Sequence, residues 1–251
     1  MMQNHNAMPN PIPPGETIIR RYMKFPQFLL LLTGNLVQTR IDAYQDSSEG
    51  AFGLRDVTFA PTVYESLGLQ HALDPENIVR EARLRAVATC WYEGEYESFA
   101  MWSIFGHLGG AIAIETTVDK LRATLLAPAE NFRIERVRYR PMTGMISDFG
   151  DLFFHKRHEY AYESEIRTLQ TFPNRVGSKI HNQALMLTDL NNFINKIITA
   201  PNSNPMLLTS LKTVVAAIFN IDRRTFEGKI LPSDLDQGLV RQDENPRKVV
   251  P

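Results

Sequence analysis

Cysteine is nearly absent from this chain of 251 residues, where Cys90 stands alone. No disulfide can close within the chain, and a reducing compartment such as the cytoplasm is its natural setting. Long apolar runs are missing as well. Runs such as Phe28 to Leu32 and Val214 to Phe219 are far too short to cross a bilayer. The first fifteen residues contain no basic segment leading into an apolar one, so no secretory signal is read there. These absences predict a soluble protein with no membrane partner. Net charge is also scarce: a formal −1 argues against a general electrostatic grip on nucleic acid. A local basic patch stays open, since Arg133, Arg136, Arg138 and Arg140 crowd together and Lys156, Arg157 and His158 follow. Neither GxxxxGK[ST] nor GxGxxG occurs, which removes the standard nucleotide cradles. His155 and His158 stand three apart without a third ligand at a metal-like spacing, so no metal is expected.

What remains has the composition of a folded chain, 43% hydrophobic and 22% charged. Its length allows one sizeable core or two small domains. Met1 to Gly15 carries four prolines and little apolar pattern, and residues 1–16 read as a flexible leader. Strand-like runs follow at Thr17–Met23, Leu36–Ile41, Ala86–Tyr92, Ala111–Glu115, Arg133–Arg140, Ile180–Leu187, Ile197–Thr199 and Thr225–Leu231. Between them lie helix signals. Pro26 opens a short helix that Gly34 ends; Asp74-Pro75-Glu76 joins an N-cap, a first-turn proline and an acid at the positive end of the dipole. Further helices are predicted over Glu97–Gly106, Val118–Leu126, Asp151–Arg157 and Asp189–Ile194. The clearest starts at Asn204-Pro205, with an apolar stripe of Leu207, Leu208, Leu211, Val214, Val215 and Ile218. Asp42–Leu69 reads as loop and 233–251 as a flexible polar tail. The fold class is therefore α+β: a single mixed domain over residues 17–232, its central sheet whole or split and flanked by helices. Trp102, Ile112, Ile114, Leu211 and Val215 are predicted to be buried. Cys90 lies in a strand-like apolar segment and reads as core.

One segment carries unusual chemistry. Tyr160-Ala161-Tyr162-Glu163-Ser164-Glu165-Ile166-Arg167 alternates as a strand would, which places Glu163, Glu165 and Arg167 on one face. Like charges two residues apart on one surface repel, and a strand that only packs is better served by apolar residues. A site handling a cation, a sugar hydroxyl or a developing positive charge uses such an arrangement. The plain alternative is a solvated strand edge on which Arg167 neutralises one glutamate.

Several segments, in order, resemble a bacterial and phage family catalogued as domain of unknown function 2971. They are Ile19-Arg20-Arg21-Tyr22-Met23, the acidic turn Asp46-Ser47-Ser48-Glu49-Gly50, Thr89-Cys90-Trp91, and Glu97-Ser98-Phe99-Ala100-Met101-Trp102. Gly110 to Ile114, the Tyr-Glu-x-Glu-x-Arg segment and Thr199-Ala200-Pro201 complete the series. The turn has Ser-Ser where that family has Pro-Phe. This resemblance implies no activity. A second one does: the layout is similar to ADP-ribosyltransferases, which carry an arginine on an early strand, a small polar residue on a middle strand and a Glu-x-Glu on a late one. Arg21, Thr89 or Ser98, and Glu163/Glu165 stand in that order here. The resemblance implies NAD as substrate and Glu165 as the catalytic carboxylate stabilising an oxocarbenium-like ribose, with Glu163 orienting the acceptor. Arg21 would anchor phosphate, and Tyr22, Thr89, Ser98 and Arg167 would complete the nucleotide site. The usual Ser-Thr-Ser element is missing.

Three functions are thus open. The first is an NAD-consuming transferase or hydrolase that modifies a macromolecule, as a toxin or phage-defence effector. The second is a non-enzymatic module binding a nucleotide, nucleic acid or protein, for which Arg136, Arg138, Lys156 and Arg157 matter more than the glutamates. The third is a hydrolase with a metal held by Asp46, Glu49 and the two strand glutamates. The site expectation is one polar pocket lined by Arg21, Tyr22, Glu163, Glu165 and Arg167.

Overall fold

The computed structural model describes residues 11–69, 74–106, 110–125, 131–173, 182–219 and 228–236. The chain is an α+β domain. In order it runs β1 (Ile18–Lys24), α1 (Phe25–Leu32), β2 (Asn35–Arg40), β3 (Val57–Phe59), α2 (Pro61–Leu67), α3 (Pro75–Arg83) and β4 (Ala86–Glu93). Then come α4 (Phe99–Gly106), β5 (Ala111–Thr117), α5 (Val118–Thr124), β6 (Phe132–Arg136), β7 (Gly144–Ile146) and β8 (Glu165–Thr171). Last are β9 (Gln183–Met186), α6 (Leu190–Phe193), β10 (Lys196–Thr199), α7 (Pro205–Phe219) and β11 (Ile230–Leu231). Nine strands make one mixed sheet in the order β11-β10-β5-β1-β4-β2-β9, with β8 pairing β4 and β6 pairing β8. β3 and β7 form a separate parallel pair.

Two compact units divide the chain. Unit 1 comprises Met1–Pro14, Val37–Cys90 and Ala127–Ala184; unit 2 comprises Gly15–Leu36, Trp91–Leu126 and Leu185–Pro251. The core of unit 1 gathers Val63 and Leu67 of α2, Ile78, Val79 and Ala82 of α3, and Phe149 to Phe154 around Leu169 of β8. In unit 2, β5 is antiparallel to both β1 and β10. An apolar run with partners on both sides satisfies its backbone within the sheet, and Ala111 to Ile114 are buried. Trp102 and Met101 of α4 pack there with Tyr22, Ala113 and Ile198.

Local chemistry accounts for most helix starts. The Asp74 carboxylate accepts the Glu76 N–H ahead of α3, the Thr117 hydroxyl accepts the Lys120 N–H ahead of α5, and Asp189 accepts the Asn192 N–H ahead of α6. The five residues expected to be buried are buried.

Several elements differ from expectation. Asp42–Leu69 is not mostly loop. Ala60-Pro61 opens α2, Val63 and Leu67 bury at i, i+4, and Gly68 ends it with φ +66°. Arg133–Arg140 is strand only as far as Arg136. Phe149–Phe154 is a 3-10 helix rather than an α-helix. Only Leu211 and Val215 of the α7 stripe are fully buried, while Val214 and Ile218 are exposed. The predicted strands at Ile180–Leu187 and Thr225–Leu231 fall partly outside the described residues, and β9 and β11 are their described portions.

The predicted leader and tail also fall largely outside. Their described ends are held: the Pro11 and Gly15 carbonyls accept the Arg136 and Asp119 N–H groups, and Ser233 and Asp234 donate to Glu97. Among the described residues no helix is long and apolar enough to cross a membrane.

Candidate functional site

The segment read as a glutamate strand is built differently. His158–Glu163 is a 3-10 helix, and Ser164 takes the left-handed conformation at φ +39° before β8 begins at Glu165. Glu163 is therefore not on the strand. Its side chain comes back to Glu165 through a cation instead of through strand alternation. Glu165 and Arg167 do share a face of β8, as the period of two requires.

Four stretches of unit 1 converge there. The loop Asp46–Gly50 starts with Asp46 accepting both the N–H and the hydroxyl of Ser48. It delivers the buried carboxylate of Glu49. Gly50 follows at φ +75°, and a Cβ there would lie 2.9 Å from the Phe153 ring, so only glycine lets the loop run this close. Lys156 comes from the segment before the 3-10 helix, Glu163 from its end, and Glu165 and Arg167 from β8.

The Arg167 Nε donates to Glu165 Oε1 at 2.6 Å and its Nη2 to Glu165 Oε2 at 3.1 Å, a fork on one carboxylate. Its Nη1 donates to Glu49 Oε1 at 2.5 Å and to the Phe153 carbonyl at 2.6 Å. The Lys156 ammonium donates to Glu163 at 2.6 Å and to Glu165 at 2.8 Å, and lies 3.9 Å from Glu49 Oε2. Glu165 is 4% exposed, and its two oxygens take three donors from two cations. Tyr139 Oη accepts the Glu165 N–H at 2.8 Å, and Tyr44 lies with its ring 5.7 Å from the Arg167 Cζ.

The electrostatics follow from this packing. Burial opposes ionisation of Glu165, but Arg167 and Lys156 overcome it and hold the carboxyl well below the usual carboxylate range. Burial pushes Glu163 up, against the pull of Lys156 and with the help of Glu165. Burial, with Glu165 nearby, pushes the Cys90 thiol up to about 12, so it is no nucleophile near neutral pH. Its neighbour Tyr44 donates or accepts at 3.4 Å.

Outward from this network lies a polar aromatic surface. The Tyr160 and Tyr162 rings are 6.5 Å apart at 35°, and Tyr162 is 47% exposed. Arg157 reaches over the Tyr160 ring at 5.3 Å and donates to its hydroxyl at 3.2 Å, with its side chain 44% exposed. Lys156 Nζ is 5.6 Å from the same ring centroid. Tyr160 thus stands against two cations, each within cation–π range.

The other predicted residues have their own immediate surroundings. Thr89 belongs to unit 1 but alternates with Cys90 on β4; it is buried, with its hydroxyl on the Val37 carbonyl. Since Cys90 faces Tyr44, Thr89 turns to the opposite face of the strand. Arg21, Tyr22 and Ser98 belong to unit 2. There the Tyr22 hydroxyl accepts the Ser98 N–H at 2.9 Å, its ring meets Trp102 edge-on at 4.7 Å, and burial raises its pKa to about 12. Ser98 Oγ accepts the Met101 N–H at the start of α4. Arg21 sits opposite Ile114 in the β1–β5 register. The structure brings together Glu163, Glu165 and Arg167 from the expected set.

Lys156 and Tyr44 join them without having been tied to them in sequence, and Glu49, which the metal-hydrolase alternative grouped with the two glutamates, joins them through Arg167. Lys156 stood in a recognised basic run and Glu49 in a recognised acidic turn, but a contact across 118 residues, Glu49 to Arg167, leaves no local signal. Among the described residues, no group of three or more His, Cys, Asp and Glu side chains is arranged to hold a metal ion. The chain matches no family model, no curated protein and no solved structure.

Proposed function

We propose that this chain is a binding module for a nucleotide-class ligand, with Arg157, Tyr160 and Tyr162 as its recognition surface. The observation that supports it is the tyrosine pair, Tyr162 exposed and Tyr160 half-buried, with Arg157 beside it. Every nucleobase has a face to stack, and stacking on an aromatic side chain contributes about 1–3 kcal/mol per base. A guanidinium presents a fork that fits phosphate oxygens. The ion network gives the turn a rigid base, because Lys156 holds Glu163 at its end. The unidentified macromolecular target, if the ligand signals to one, would meet the module in a reducing cytoplasm, which the single cysteine suits.

Glu165 favours binding over catalysis in this reading. Its oxygens are engaged by Arg167 and Lys156, whereas a catalytic carboxylate must reach a ribose. The test is calorimetric titration of the full chain with ADP-ribose and with NAD. Binding that weakens at least tenfold in Tyr162→Ala and Arg157→Ala is expected; no binding of either compound refutes the module.

A second reading keeps the transferase chemistry and moves the working carboxylate. Glu163 retains solvent access, with its side chain 14% exposed, and it begins the Glu-x-Glu pair. In that reaction the nicotinamide–ribose bond breaks, nicotinamide leaves with the bonding pair, and an acceptor oxygen or nitrogen bonds to the ribose and loses a proton. Such a protein would act as a toxin or phage-defence effector. Nicotinamide release from NAD in cell extract, lost in Glu163→Gln, is the expected result for this reading; absence of release discards it.

A further inference from the structure

We propose that binding of an anionic nucleotide at the Arg157–Tyr162 turn is coupled to uptake of one proton by Glu163, which makes the module a pH-dependent reader of its ligand. The inference rests on the nucleotide-binding reading given above. It starts from an imbalance of charge in unit 1. Three carboxylates, Glu49, Glu163 and Glu165, face two cations, Lys156 and Arg167. Arg167 divides its donors between Glu165, Glu49 and the Phe153 carbonyl. Lys156 alone serves Glu163 and shares itself with Glu165. Glu49 Oε2 is buried and accepts no hydrogen bond from the described residues, with the Lys156 ammonium at 3.9 Å.

Of the three acids, Glu163 is the one with a path to water. Glu49 and Glu165 are closed off within the network. The groups facing Glu163 are Lys156 from the segment before the turn, Glu165 and Arg167 from β8, and Tyr162 on its own turn. Tyr139 also lies close enough for its charge state to be coupled to Glu163. Glu49 reaches the group through the shared ammonium.

A phosphate on Arg157 would lie beside Asp46, whose Oδ1 is 3.6 Å from that guanidinium, and near Lys156, since the centroid of the Tyr160 ring is 5.3 Å from the guanidinium carbon and 5.6 Å from the ammonium. It would add negative charge to a cluster that already carries an excess of it. Like charge disfavours the ionised form, so the acid with water access takes up a proton from solvent. The one bond formed is the O–H of Glu163, its proton given up by solvent or the buffer acid, and Lys156 remains on Glu165.

The experiment is titration calorimetry of the full chain with ADP-ribose, whose diphosphate does not titrate in this range, at about pH 6 and about pH 8 in buffers of different protonation heat. A net proton uptake at the lower pH and about threefold tighter binding there than at the higher pH, the effect of half a pKa unit, is expected. Glu163→Gln should abolish the uptake and bind more tightly than the parent at about pH 8, because the competing charge is gone. Binding by the parent chain with no proton uptake and no pH dependence overturns the coupling and leaves the module standing. Uptake that persists in Glu163→Gln overturns the assignment to Glu163. No ADP-ribose binding at all overturns both.

Discussion

Glu163 and Glu165 are two residues apart and in electrostatically opposite situations. Removing the charge of Glu165 would leave Arg167 and Lys156 buried with one fewer anion between them, so Glu165→Gln should destabilise by about 3–5 kcal/mol in urea denaturation. Glu163→Gln should cost about 1 kcal/mol or less, since that carboxylate is partly solvated and its ionisation is disfavoured by burial. Equal costs would mean that the network does not distinguish the two. Their pH dependences run in opposite directions. Glu165 has its folded pKa depressed, so its stabilisation is present above the ordinary carboxylate range and is lost as pH falls through it. Glu163 has its folded pKa raised, so its protonated form favours the folded state and that contribution fades as pH rises through the raised value. Denaturation midpoints measured from about pH 3 to about pH 8 should fall steeply on the acid side in the parent and more shallowly in Glu165→Gln. A parallel acid slope in the two proteins would show that Glu165 is not the group responsible.

At the scale of elements, legibility followed how local the determining interaction is. The starts of α3 and α6 were readable because each N-cap acid bonds an N–H two or three residues away. The heart of α7 was readable from its 3.6-residue period, although the full stripe overstates its packing. Leu211→Ala should cost about 2–5 kcal/mol, while Ile218→Ala, at an exposed position, should shift the midpoint little. A comparable loss at both would contradict the burial pattern. The glutamate segment was misread because its alternation fits a strand, and nothing in Tyr160-Ala161-Tyr162 announces a 3-10 turn that ends at a left-handed serine. Helix α2 was overlooked for a different reason. Seven residues give too short a period to see, although Pro61 and Gly68 mark both ends. Of the site, the Glu165–Arg167 pairing was legible, since it follows from alternation alone. The contacts of Lys156 with both glutamates and of Glu49 with Arg167 were not, since tertiary packing makes them.

For the whole molecule, the mixture of short strands and helices announced an α+β fold, whereas the division into two units did not show in composition. The units are interleaved along the chain, each assembled from segments far apart in sequence, so no boundary falls at one point. The β4 strand passes from one to the other at Cys90–Trp91. That crossing has an optical consequence. Both tryptophans of the chain, Trp91 and Trp102, belong to unit 2 and are buried, whereas unit 1 has none. Intrinsic tryptophan emission is therefore a local gauge of one unit, while far-ultraviolet dichroism averages over both. A domain that melts cooperatively should give coincident midpoints by the two signals, and an emission red-shift that precedes or trails the dichroic change would reveal that the two units lose their structure separately.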